Sequence, residues 1–512
     1  MSDNLYEQLQ SAMDRHSDKV ALRLDSDRVV HFAELSTRVG QVSAGLQAQG
    51  VVPGDRILVQ VNKSVANLVL YLATLRVGAV YVPINTAYTL EEVRYFIEDA
   101  EPVLLVVDEP AAYGPLATLL AEGGAKLIAV GRYPEDGDPT ATPALVTDGV
   151  ESADGAVVAR SSDDIAAILY TSGTTGRSKG AMLTHGNLST NAHTLLSLWG
   201  WQEDDVLLHA LPIFHVHGLF VALHCALLGG STTVFRPAFD LDDVLRWLPG
   251  CTVMMGVPTF YTRLLGADRF DRVLCQSMRL FISGSAPLTE QTFEAFEART
   301  GHRILERYGM SETLMNTSNP YLGERVPGTV GYALPEVEAR VVNEQGQSVE
   351  PGEVGVIEVR GPNVFPGYWR MPEKTQAEFR TDGFFVTGDL GTMAADGRIA
   401  IVGREKDLVI SGGYNVYPKE IERLLDELPE IVESAVIGVP HADFGEAVVA
   451  VVVPVDPQAP LAEERLREFL QDRLARYKQP KQVVNVEELP RNAMGKVQKN
   501  TLRKRYEALL SD

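Results

Sequence analysis

The sequence predicts an α/β protein, with a large N-terminal body of α/β subdomains and a small α+β C-terminal domain. Three observations carry that prediction. Short apolar, β-branched runs alternate with amphipathic stretches along most of the chain, the pattern of mostly parallel sheets flanked by helices. At 512 residues the chain is too long for a single core. Beyond residues 403–413 (GREKDLVISGG) the pattern restarts as a module of about 100 residues, the size of an independent domain. The expected division is 1–403, a junction at 404–407, and 408–512.

In chain order, HFAELSTRVGQVSAGLQAQG (31–50) repeats apolar residues at helical spacing and ends at Gly50. RILVQVN (56–62) and PVLLVVDE (102–109) read as buried strands. Between them, the longest apolar stretch, Val65 to Asn85, is interrupted by Arg76 and Gly78. It reads as a buried helix running into a strand, too broken to span a membrane. Residues 131–163, rich in Pro, Gly, Asp and Thr, read as a long surface connection. Strands follow at AAILYTSG (166–173), STTVFRP (231–237) and MRLFISGSAP (278–287), and Pro258 opens a helix. The C-terminal module reads as helix YPKEIERLLDEL, strands ESAVIGVP and VVAVVVPV, and helix AEERLREFLQDRLARY (462–477).

Apolar residues at 45% and charged residues at 22% exclude a disordered or fibrous chain. A net charge of −22 disfavours nucleic acid and anionic membrane, both polyanions, as partners. Three cysteines, at 225, 251 and 275, contain no Cys-x-x-Cys pair, which argues against a disulfide framework and a structural zinc site. The polar, acidic N-terminus is no signal peptide, so the expected compartment is the cytoplasm.

The segment densest in chemistry is TSGTTGRSKG (171–180), which follows an apolar strand. Glycines let a backbone approach an anion closely, while amides, hydroxyls and Lys179 supply donors for phosphate oxygens. It is not a Walker A loop: Gly180 follows Lys179 where that motif requires Ser or Thr. GRSKG (176–180) matches Gly-x-Ser-x-Gly, but the hydrolase elbow needs a strand just before the serine and a helix just after. Here a polar loop precedes Ser178, and AMLTH reads as a strand.

With YTSGTTGRSKGAMLTH (170–185), ERYGMSET (306–313), GPNVFPGYW (361–369), FVTGDLG (385–391), GREKD (403–407), GGYNVYPKEIE (412–422) and LPRNAMGK (489–496) in this order, nearly the whole chain resembles the adenylate-forming superfamily of acyl-CoA synthetases, luciferases and adenylation domains. The resemblance implies the adenylate-forming enzyme fold with a mobile C-terminal domain, and ATP, Mg²⁺ and coenzyme A as co-substrates. It assigns Thr171, Ser172, Gly173, Thr174, Thr175, Gly176 and Lys179 to the ATP phosphates, and Tyr308, Gly309 and Ser311 to the adenine segment. Tyr308 would stack on adenine, and Asp389 would accept the ribose hydroxyls. Arg404 would contact ATP beside a hinge at Lys406. Glu312, with Thr171, would serve Mg²⁺, a hard cation that prefers oxygen ligands. Lys496 resembles the catalytic lysine that bridges the attacking carboxylate and the α-phosphate. Lysines at this position can be acylated in the family, so a lysine acyltransferase acting on Lys496 is a candidate partner. Ser411, Gly412 and Gly413 fall where the family's C-terminal loop approaches pantetheine.

The acid substrate is read from two segments. LPIFHVHGLF (211–220) resembles the family's histidine-bearing helix start, where His215 would close the acyl pocket. In VMMGVPTFYTRLLG (253–266), Arg263 falls on the same side of a helix as Phe260. An arginine in an acyl pocket is costly unless it meets an anion, and a second substrate carboxylate would supply one. The arginine alone leaves open a solvent-facing or internally paired side chain. FHVHG, GVPTFYTR, RLFISGSAPL and ERYGMSETLMNTSNP together look most like bacterial malonyl-CoA synthetases. That likeness implies that Arg263 and Ser285 hold the distal carboxylate, with Gly284, Arg279 and Met310 as further pocket residues. Val216, Met310 and Met315 would shape the space around the middle carbon and set tolerance for methylmalonate. The expected activity is an ATP-dependent malonate–CoA ligase. The alternatives are a ligase for another small mono- or dicarboxylic acid, or an adenylation enzyme that loads a carrier protein.

Overall fold

A computed structural model describes residues 3–133, 145, 156–171, 178–411, 414–441, 444–471, 473–492 and 496–510. Two large sheets dominate the N-terminal body. The six-stranded sheet has the order Lys126–Ala129, Leu104–Val107, Arg56–Gln60, Val80–Pro83, Ile165–Thr171, Lys179–Thr184, and only the last strand is antiparallel. The nine-stranded sheet is parallel through Leu305–Met310, Leu280–Ser283, Val253–Gly256, Val206–His209, Thr232–Phe235 and Val20–Arg23, with antiparallel strands at both edges. The strand Lys179–Thr184 begins one residue after Ser178, the opposite of the helix a hydrolase elbow requires.

The two sheets are joined by buried helices. Helix Val65–Arg76 starts at Ser64, whose hydroxyl accepts the amide of Asn67, and every residue but Arg76 is buried. It packs on helix Phe32–Ala48. The Tyr71 hydroxyl meets His224 Nε2 at 2.7 Å and its ring contacts Phe220, which belong to the second sheet's layer. Tyr81 donates to Asn67 at 2.6 Å from the first. Both polar groups sit in apolar surroundings with partners, as burial demands.

Two features depart from the sequence reading. Residues 338–404 form a four-stranded sheet, Glu338–Val342, Gly355–Arg360, Phe385–Met393 and Ile399–Arg404, that is wholly antiparallel. The turn at Asp396-Gly397, with Gly397 at φ +88°, is the local cause, since a left-handed glycine closes a tight hairpin. The C-terminal helix expected over 462–477 ends at Leu470. There the chain turns back toward strand Gln482–Asn485, and the Gln479 side chain donates to the Leu474 carbonyl at 2.9 Å.

A single turn, Glu405–Asp407, separates the antiparallel sheet from a five-stranded C-terminal sheet built on the long hairpin Ile431–His441 and Gly445–Pro454. Contacts between the two parts include Arg423 Nη1 to Glu290 Oε1 at 3.2 Å and Arg503 Nη2 to Asp407 Oδ1 at 2.9 Å. Among the described residues no helix is long and apolar enough to cross a membrane. Leu70→Ala, at the centre of the joining helix, should cost about 2–5 kcal/mol of stability. Chemical denaturation checks this, and an unchanged midpoint would contradict the central place given to that helix.

Candidate active site

The parallel strands Val253–Gly256, Leu280–Ser283 and Leu305–Met310 end side by side: Gly256 pairs with Ser283, and Ser283 with Glu306. Ligands of open α/β sheets bind beyond such carboxyl ends. The residues that follow each strand here are chemically distinctive. Ser285 takes φ +70°, a left-handed conformation costly for any residue with a Cβ, and its Oγ lies 3.3 Å from His217 Nδ1. Next to it, a Cβ on Gly284 would stand 2.4 Å from the guanidinium carbon of Arg307, so any larger residue there would force that guanidinium to shift.

Arg307 is 3% exposed, and its Nε and Nη2 have no hydrogen-bond partner among the described residues. Burial lowers its pKa to about 10, opposed by the neighbouring Tyr261 and Glu306. A buried guanidinium with two unused donors is costly unless an anion joins it. His215 and His217 border the same space. Each has a buried, unpartnered Nε2. Burial, with the charge of Lys496 nearby, holds His215 neutral with a pKa of about 3. Burial and Arg307 push His217 well down. The turn His217–Leu223 is a π-helix, a form that recurs at functional sites. Val216 and Met315 are buried, and Met310 is partly buried.

On the other side of Arg307 lies a polar cluster. Tyr308 donates to Asp389 Oδ2 at 2.5 Å, and Arg404 Nε pairs with Asp389 Oδ1 at 2.9 Å. Asp389 and Arg404 are register partners on neighbouring strands, which fixes that pair. The Asp389 carboxylate in turn raises the pKa of Arg404. Glu312 is buried, with its carboxyl raised by burial, and the Tyr368 hydroxyl lies 3.0 Å from Glu312 Oε1. Tyr368 also reaches Glu378 Oε2 at 2.6 Å. Lys179 lies over the Tyr368 ring at 4.2 Å and pairs with Glu378 at 3.2 Å. Thr171 ends its strand opposite Lys179, with Gly309 and Ser311 flanking Met310.

Lys496 belongs to the C-terminal part yet joins this cluster. Its backbone is held by Asn492: the Lys496 amide donates to the Asn492 side chain at 3.0 Å. Burial lowers its ammonium to about 8, helped by Arg404 and opposed by Asp389 and Glu312. The donors present fit Mg²⁺ carried in by a nucleotide: Glu312 and Thr171 offer hard oxygens, and no cluster of three His, Cys, Asp or Glu residues occurs among the described residues.

Several expected site residues lie elsewhere. Arg279 precedes strand Leu280–Ser283, at the end opposite Ser285. Its Nε donates to Asp205 Oδ1 at 2.7 Å and its guanidinium lies over Tyr321, so it braces the sheet instead of facing the pocket. Helix Pro258–Leu265 buries only Tyr261 and Leu264, which leaves Arg263 exposed beside Phe239, 6.0 Å from its ring. The argument from a buried arginine therefore fails for Arg263 and transfers to Arg307. Ser411 is buried within the C-terminal sheet, and Lys406 lies in the Glu405–Asp407 turn, its ammonium lowered to about 8 by burial and Arg404. Ser172, Gly173, Thr174, Thr175, Gly176, Gly412 and Gly413 lie outside the described residues. Sequence reasoning missed Arg307, Tyr368 and Glu378. The first two sit inside motifs already singled out, ERYGMSET and GPNVFPGYW, while nothing local marks Glu378.

Ser285→Gly should raise unfolding free energy by about 1 kcal/mol, because glycine relieves the positive φ. A thermal-shift measurement with no gain would show that the loop relaxes without cost.

Residues 9–369 match the AMP-binding enzyme family, and residues 420–496 match the AMP-binding enzyme C-terminal domain. The chain is 38% identical over 500 residues to the mitochondrial malonate–CoA ligase ACSF3 of Mus musculus, covering 89% of this chain and 83% of that one. ATP-bound MatB from Rhodopseudomonas palustris is similar over 100% of both chains, at 53% identity and a TM-score of 0.95. Apo MatB from the same organism, at 52% identity and the same coverage, scores 0.82. The chain belongs to the AMP-binding enzyme family.

Proposed function

We propose that the protein is an ATP-dependent malonate–CoA ligase that forms malonyl-CoA, AMP and pyrophosphate through a malonyl-adenylate, with methylmalonate as a further substrate. The observation that carries the acid's identity is Arg307, buried beside Gly284 and Ser285 with two donors unused. One carboxylate of a short diacid satisfies that guanidinium, a charge-assisted pairing. Ser285 and neutral His217 complete its surroundings, and the other carboxylate reaches the polar cluster. A monocarboxylic acid would leave Arg307 unpaired. The likeness to malonate–CoA ligase and MatB supports the same reading.

In the first half-reaction the free carboxylate oxygen attacks the α-phosphorus of ATP and pyrophosphate leaves. Lys496 neutralises charge as it develops between the two anions, Lys179 holds phosphate, and Arg404 and Asp389 fix the nucleoside beside Tyr308. Glu312 and Thr171 would hold Mg²⁺, which would supply charge neutralisation for the triphosphate. His215 closes the acyl pocket as an uncharged wall. The C-terminal part, 408–512, then turns about 404–407, with Lys406 in the hinge, and withdraws Lys496. The thiol of coenzyme A, approaching along Ser411, Gly412 and Gly413, attacks the acyl carbon and AMP leaves. Three buried, unpaired cysteines fit a reducing compartment, the cytoplasm. A lysine acyltransferase acting on Lys496 would remove its charge and stop the first half-reaction.

The deciding experiment is AMP formation with malonate, methylmalonate, succinate and acetate for wild type, Arg307→Met and Arg263→Ala. Arg307→Met should lose kcat/KM for malonate by about 100-fold or more, the scale of truncating a buried hydrogen-bonded charge pair. Arg263→Ala should stay close to wild type. Retained malonate use in Arg307→Met, or its loss in Arg263→Ala, would overturn the assignment. For the first half-reaction, measured by pyrophosphate exchange, the charged form of Lys496 is required. The rate should therefore fall as pH rises through about 8. Thioester formation from preformed malonyl-adenylate should lack that limb, and an identical limb in both would separate it from Lys496.

A further inference from the structure

Glu378 has no role in the chemistry described above, yet it is bound to Lys179 and Tyr368 on the phosphate side of the site and to Lys374 on its own helix. It ends helix Pro372–Glu378, away from every motif. Its Oε1 lies 3.2 Å from Lys179 Nζ and 2.8 Å from Lys374 Nζ. Its Oε2 accepts from Tyr368 at 2.6 Å. The Tyr368 hydroxyl also faces Glu312 Oε1 at 3.0 Å, so one hydroxyl proton stands between two carboxylates. The Lys179 and Glu378 side chains are each 20% exposed, whereas Lys374 is 46% exposed.

We infer that Glu378 is an internal anion that occupies Lys179 until the triphosphate arrives, which makes nucleotide binding an exchange of partners. The deduction rests on the reading that Lys179 receives ATP phosphate. A lysine in a half-buried pocket is stabilised by a counter-charge. The carboxylate beside it competes for the same ammonium as a phosphate oxygen. Lys374, one helical turn before Glu378, offers the released carboxylate a second cation, so surrendering Lys179 does not strand a negative charge. Glu378 is thus a positioning residue: it presets the lysine's location and sets how tightly ATP must bind to claim it. Its shared hydroxyl couples that exchange to Glu312.

The geometry demands shifts of opposite sign in two variants. Glu378→Gln keeps an acceptor for Tyr368 and removes the competing charge, so Mg·ATP should bind about twofold to fivefold more tightly by calorimetry, the scale of a partly exposed ion pair. Lys374→Met leaves Glu378 no second cation, so Mg·ATP should bind about twofold more weakly. Without nucleotide, amine acetylation of Lys179, followed by mass spectrometry, should be faster in Glu378→Gln than in wild type. A merely structural Glu378 would instead give weaker ATP binding in Glu378→Gln with a lowered melting temperature. Unchanged or weaker binding in Glu378→Gln, or tighter binding in Lys374→Met, overturns the exchange. Wild type that binds no Mg·ATP would sink the ligase reading itself, an outcome distinct from either.

Discussion

The interaction on which the site depends is the desolvation of Arg307. The fold removes a guanidinium from water and leaves two of its donors without an internal partner. Such a group lowers stability until an anion meets it, which is how a binding site stores selectivity for a charged substrate. Its neighbours are arranged around that requirement. Gly284 has no Cβ because the guanidinium occupies the place a Cβ would take. Ser285 tolerates a left-handed backbone beside it. His217 is kept uncharged by burial, with the same cation adding to the effect, so it brings no second positive charge against Arg307.

A second constraint is geometric. Parallel strands bring the residues after Gly256, Ser283 and Met310 to one crevice, although they are separated by dozens of positions in the chain. The antiparallel sheet then adds Asp389 and Arg404 as register partners, where no single motif contains both. Lys496 arrives from the C-terminal part, near enough to Arg404, Asp389 and Glu312 for their charges to act on its ammonium.

The elements that were legible in the sequence are those whose patterns are local. The helix 65–76 running into strand 80–83, the strand after Ser178, and the restart of the chain after 403 all follow from periodicity and turn chemistry. Arg263 and Arg279 show where that reasoning stops. The likeness to malonyl-CoA synthetases implies a pocket role for both. Helix Pro258–Leu265 rotates Arg263 outward, and Asp205, more than seventy positions earlier, claims Arg279. The end of the helix at Leu470 was equally invisible, because the Gln479 side chain that reaches the Leu470 carbonyl, at 3.5 Å, acts from beyond the helix.

The sequence by itself determined the class of fold, the order of its motifs and the residue types that meet ATP, since each is written in contiguous residues whose chemistry needs no distant partner. Only the tertiary structure decided which arginine is buried, which carboxylate Lys179 meets, and that Lys496 reaches the crevice. Those outcomes depend on burial and on charges brought together across the chain. A side chain's free energy there is set by what surrounds it in space, which neighbouring letters do not record.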